Sequence, residues 1–172
     1  MERTDPDLTG DELTLLSQFL DYYRATIVEK VRGLDRAQLA VTLAPSDLTL
    51  AGLVKHLALV EYGWFQEDLL GRGLPEPFAS APWDEDRDWE FHTAVDDDPA
   101  DLLALYEDAC ERSRAAVAEV GDLEARSVRA SRRRPGEHYS LRWIMLHMIE
   151  ETARHAGHAD FLRQAADGTV GD

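Results

Sequence analysis

Glu151, His155 and His158 lie four and three residues apart in one periodic segment near the C-terminus, and His56 lies in another. Between residues 141 and 166 the apolar positions are Leu141, Ile144, Met145, Met148, Ala159 and Leu162. Continued through its gap, that stripe falls on Glu151, Thr152, His155 and His158, where helical periodicity asks for core side chains. Residues i and i+4 are neighbours on one helix face, with Cβ atoms about 5–6 Å apart. A buried charge is costly unless it is paired or coordinates a metal. His56 follows Leu53 by three residues and precedes Val60 by four, on the apolar side of its own segment.

Two imidazoles and one carboxylate from two helices form a three-ligand set: His56, Glu151 and His155. Such a set suits a divalent metal, zinc first, with nickel or iron(II) as the other choices. Three protein ligands leave a position open for water or substrate, as at catalytic zinc. His158, one turn beyond His155, is a reserve ligand or a group that orients the centre. A metal-free reading stands beside this one, in which the histidines are core residues and Glu151 pairs with His155 or Arg154. Other metal schemes fail on spacing. The H-E-x-x-H pattern of zincins is absent, and so are the repeated Glu-x-x-His pairs of di-iron bundles. His147 and Glu150 are candidates for supporting groups or for helix surface, and His92 and His138 fall in connections.

Positioning these groups requires long helices. Thr9 and Glu12 offer a capping box ahead of Leu13, Leu16, Leu20, Tyr23, Ile27 and Val31, one helical face that ends near Gly33. Thr49 caps a second helix that runs to Leu70. Asp98-Pro99 starts a third, which ends at Gly121, and Ser140 caps the fourth. The expectation is an all-α fold: a four-helix bundle with a long crossover loop between helices 2 and 3. It fills one domain over residues 1–172, with its core at about 9–166. The crossover, residues 71–98, carries Phe78, Trp83, Trp89 and Phe91, which argue against disorder and should anchor it on the body. No strand pattern is expected. Trp64 and Phe65 cannot both face one narrow stripe, so one of them is free for a partner or for the long loop.

Composition narrows the function. The 172 residues include 34 acids against 18 bases, a net charge of −16, which disfavours nucleic-acid backbones and anionic membranes as partners. The N-terminus is acidic without an apolar segment, and no stretch approaches a membrane span, so the expected location is the cytoplasm. Cys110 is the only cysteine, which excludes an intrachain disulfide, and mid-helix among apolar residues it reads as a small core residue. Five arginines between residues 126 and 134 either hold an anionic group of substrate or form a solvated loop. A homodimer is expected, because amphipathic bundles bury spare apolar stripes against a copy.

The segments LVKHLALVEYGWF and LRWIMLHMIEETARHAGHADFLR resemble the DinB-like superfamily of metal-dependent thiol transferases, of the mycothiol and bacillithiol type, over residues 12–165. The resemblance implies that His56 takes the family's helix-2 ligand position. It puts Glu151 and His155 at the two ligand positions of the last helix. In His155-Ala156-Gly157-His158, His158 replaces a usual Gln. Glu151 replaces a usual His, as in the mycothiol-dependent maleylpyruvate isomerase branch. The implied function is a metal-dependent transferase or isomerase. It would bind a low-molecular-weight thiol such as mycothiol as thiolate, and use it to attack a small-molecule electrophile. The alternative is a non-catalytic metal-binding bundle that acts in stress response.

Overall fold

Each long helix begins where a polar side chain can satisfy its first free N–H groups. In the computed structural model, which describes residues 2–171, α1 spans Glu12–Val31 and is capped by Asp11, whose side chain accepts from the Thr14 N–H. The Thr9–Glu12 box is not used: a carboxylate at Asp11 both caps the helix and favours its dipole. A single turn, α2, covers Arg36–Leu39. Thr49 caps α3, Leu50–Glu61, which continues as a π-helix over Tyr62–Leu69. Trp89–Thr93 form α4, followed by a 3₁₀ turn at Ala94–Asp96. Asp98 caps α5, Pro99–Val120, which ends on Gly121 at φ 65°. Ser140 caps α6, Leu141–Asp167.

Fifty-nine per cent of the chain is helical. α1 packs along α6, and α3 packs against α5 and α6. The connections hold more structure than their sequence announces. α2 and α4 occupy stretches read as irregular. The arginine-rich connection is an antiparallel hairpin of β1, Arg126–Ala130, and β2, His138–Ser140. It escaped notice because its register breaks between Arg126 and Ala130 and only Ser127 in β1 is buried, so no alternation of apolar residues marks it. The hairpin docks at Gly71, where φ is 70° and an added Cβ would lie 2.6 Å from Val128 Cγ1. Only glycine suits that position.

The core consists of two apolar clusters. One gathers Ile27, Leu53, Leu57, Tyr106 and Leu162, the other Leu20, Phe65, Val117, Met145 and Met148. At the level where they meet, each long helix contributes one buried polar residue: Arg24 from α1, Glu61 from α3, Ser113 from α5 and Thr152 from α6. Arg24 donates to both oxygens of Glu61, at 2.7 and 2.6 Å. Ser113 and Thr152 return their hydroxyls to the helical carbonyls of Ala109 and Met148.

The long crossover is fastened to α3. The Lys55 ammonium is buried, donates to Thr93 at 2.9 Å and Asp97 at 2.6 Å, and sits 4.3 Å from the Trp89 ring centre. Phe78 is buried and Trp83 packs edge-on against Trp89, so the aromatic residues do anchor this segment. Phe65 is buried in the core, whereas Trp64 packs on Tyr139, Trp143 and His147. The free aromatic therefore meets the hairpin and α6 rather than the crossover.

Candidate metal centre

α3 and α6 bring His56, Glu151 and His155 together, with one ligand atom of each lying within 4.8 Å of the others. Glu151 Oε1 is 3.2 Å from His155 Nε2 and 3.6 Å from His56 Nε2. Donors held at about 2.0–2.2 Å around a tetrahedral ion stand about 3.3–3.6 Å apart, so these two separations need little adjustment to accept one. The donor set, two imidazole nitrogens and a carboxylate oxygen, fits a divalent cation of the zinc, nickel or iron type. All three residues are part-buried, so the centre is neither sealed nor freely solvated.

Electrostatics prepare the same atoms. Hydrogen bonds from His155 and His56 hold the Glu151 carboxyl far below the usual carboxylate range, against the opposing effect of burial. For His56, burial favours the neutral ring, but Glu151 and Glu90 outweigh it and raise its pKa.

Glu90, from α4, was not singled out by sequence. Its Oε1 accepts from His56 Nδ1 at 3.0 Å, which holds the ring with Nε2 toward Glu151. Phe91, the next residue, stacks on the His56 ring at 4.6 Å between centroids. Glu90 is only 5 % exposed, and its second oxygen has no hydrogen-bond partner. It stands in an acidic, aperiodic stretch, so nothing in the sequence separates it from its neighbours.

His158 does not join the three. It is exposed, and its Nδ1 faces His155 Nδ1 at 3.4 Å, where it can accept that N–H and orient the ring. His147 and Glu150 lie elsewhere: His147 stacks on Trp143, and Glu150 pairs with Arg154. His92 pairs with Asp86 at the surface, and His138 hydrogen-bonds the Ser127 carbonyl. Cys110 is fully buried, and burial followed by the Glu61 charge pushes its thiol well above the usual range. It is a core residue rather than a nucleophile.

A groove of about 1130 Å³ is lined by residues of the crossover, Glu90 among them, of the hairpin and of the first turns of α6. Trp64 and Trp143 line it, and Arg126, Arg132, Arg133 and Arg134 border it. The arginines of residues 126–134 are largely committed within the protein. Arg129 and Arg132 pair with Glu67, Arg134 pairs with Glu137, and Arg126 donates to the His138 carbonyl.

Glu90→Ala should weaken divalent-metal affinity about 10–100-fold, the usual effect of removing a group that orients a ligand histidine. Competition against a chromophoric chelator measures it, and an unchanged affinity would remove Glu90 from the centre. A family model described as mycothiol S-transferase matches residues 15–168. No curated protein matches the chain.

Proposed function

Because the chain belongs to the mycothiol S-transferase family, we propose that it joins a low-molecular-weight thiol, mycothiol, to a small electrophile at a divalent-metal centre held by His56, Glu151 and His155. The convergence of three ligand atoms within 4.8 Å carries this reading. The same set leaves a coordination position for the thiol. A bound divalent cation would supply the charge that keeps a coordinated thiol deprotonated, and the thiolate is the nucleophilic form.

The remaining work falls to the chain itself. Glu151 stays a carboxylate, and Glu90 holds the His56 ring with Nε2 toward Glu151. Phe91 and the crossover cover one flank of the centre and restrict water. We take the four long helices α1, α3, α5 and α6 as the bundle that fixes α3 against α6, and zinc as the first candidate metal. No described helix is long and apolar enough to cross a membrane, and we place the protein in the cytoplasm. Phe19, Leu146 and Phe161 leave apolar surface on α1 and α6, and we assign that surface to a second copy of the chain. A non-catalytic metal-binding bundle is the weaker alternative, since it gives no role to the open coordination position.

The deciding experiment pairs metal analysis of untagged protein, purified without added metal, with an assay of mycothiol consumption in the presence of monochlorobimane. Stoichiometric metal and mycothiol-dependent product are expected. Absence of both overturns the proposal. Metal without turnover by any thiol favours the non-catalytic bundle.

Metal affinity should also fall with acidity. Imidazole must lose its proton to coordinate, and the raised pKa of His56 means that protons compete from a higher pH than at a free imidazole. Titration should show weakening that begins above about pH 6.5, the unperturbed value. Glu151 adds nothing to this in the same range, because its carboxyl is already ionised. Constant affinity from pH 8 to 5.5 would contradict ligation by these histidines.

A further inference from the structure

One face of α3 seats the crossover. Gly52, Lys55 and His56 stand at i, i+3 and i+4 on that helix and so share a side. Gly52 leaves room for Phe91: an added Cβ would lie 3.0 Å from Phe91 Cδ1. Lys55 is 2 % exposed and donates to Thr93 and Asp97. His56 takes Phe91 on its ring face and Glu90 on Nδ1. With five residues, α4 is too short to stay helical without such contacts.

One of these contacts is conditional. A neutral imidazole carries a single N–H, and each nitrogen of His56 faces a carboxylate: Nδ1 is 3.0 Å from Glu90 and Nε2 is 3.6 Å from Glu151. Glu90 is 5 % exposed, its second oxygen lacks a hydrogen-bond partner, and its first relies on His56. With the hydrogen on Nε2, Glu90 is a buried carboxylate short of a donor, which weakens the seat of α4. A cation coordinated at Nε2 leaves the hydrogen on Nδ1 alone, where it serves Glu90.

We propose that residues 88–97 form a flap whose seating is coupled to metal occupancy, with His56 as its latch and the Lys55–Asp97 pair as its anchor. The coupling rests on the metal-centre reading above. In metal-free protein the flap loosens and opens one flank of the centre to an incoming ion; in loaded protein it shuts. Coupling is reciprocal, so whatever seats the flap tightens metal binding by the same factor. Asp97, whose side chain pairs with Lys55 rather than with a proposed ligand, thereby helps to set the affinity of the centre.

The test follows amide hydrogen exchange of the full chain, with and without zinc, at about pH 8, where an unperturbed imidazole is neutral. Zinc should slow exchange over residues 88–97 at least about fivefold more than over hairpin residues 126–140. The hairpin reports the global stabilisation that any bound ligand brings. Asp97 is 36 % exposed, so Asp97→Asn does not threaten folding. That variant should speed exchange over residues 88–97 and weaken zinc affinity about fivefold or more, read by competition with a chromophoric chelator. Glu90→Ala, saturated with zinc, should lose the extra protection. Equal slowing of flap and hairpin, wild-type zinc affinity in Asp97→Asn, or retained protection in Glu90→Ala overturns the proposal. Failure here is distinguishable from failure of the function reading. If zinc protects the flap but no thiol is turned over, the flap stands and thiol transfer falls. If thiol is turned over while zinc leaves the flap unprotected, thiol transfer stands and the flap falls. Protein that binds no zinc overturns both.

Discussion

His155→Ala and Glu151→Ala should each abolish mycothiol transfer, to less than about 1 % of the wild-type rate. Each removes one of the three proposed donors and leaves its former partners part-buried and unpaired, a cost that would add to the lost coordination. Glu151 is the centre of the set, since it contacts both His155 and His56, and its loss should also cost metal more severely than the loss of Glu90. The control is Cys110→Ala, which should keep a near-wild-type rate, because a buried thiol with a raised pKa supplies no thiolate. Far-ultraviolet circular dichroism should show the ligand variants as helical as the parent, since neither apolar cluster depends on the metal. Wild-type turnover in the ligand variants, or a dead Cys110→Ala with intact helicity, would sink the mechanism.

The second large effect lies in the polar layer between the two clusters. Arg24→Ala should destabilise the fold by about 3–5 kcal/mol, because Glu61 would be left buried without its counter-charge. The double replacement Arg24→Met with Glu61→Leu should recover most of that loss, since it removes both charges and fills the space. Urea denaturation of the wild type, Arg24→Ala and the double variant measures both effects. A single-variant cost below about 1 kcal/mol, the range of exposed pairs, would show that water reaches this pair and that the layer is not dry.

Local chemistry that repeats or terminates was legible in the sequence. Thr49, Asp98 and Ser140 announce helix starts because each must do the same task with its own side chain. The stripe of Leu141, Ile144, Met145, Met148, Ala159 and Leu162 marks one buried face, and its interruption by Glu151 and His155 pointed to the centre. What escaped depends on partners distant in sequence. Arg24 and Glu61 are 37 residues apart, and each looks like an ordinary charged helix residue until the helices pack. Glu90 acquires its role only because Lys55 fastens the crossover to α3. The π-helix has no compositional signature, and in the hairpin Val128 faces outward, 63 % exposed, so apolar alternation never develops.

The three proposed ligands come from α3 and α6, which also build the core, whereas Glu90 and much of the groove border come from the two connections, residues 70–98 and 122–140. The chain thus separates what must stay constant from what is free to diverge. A change in α6 near His155 disturbs packing and chemistry together. Lengthening or rewriting the hairpin beyond Gly71 alters neither the long helices nor the proposed ligand triangle, since surface connections tolerate insertion where core helices do not. Over evolutionary time, relatives with the same centre can therefore drift toward different thiols or electrophiles through their connections alone, and laboratory selection for a new substrate would find its most productive mutations in those two segments.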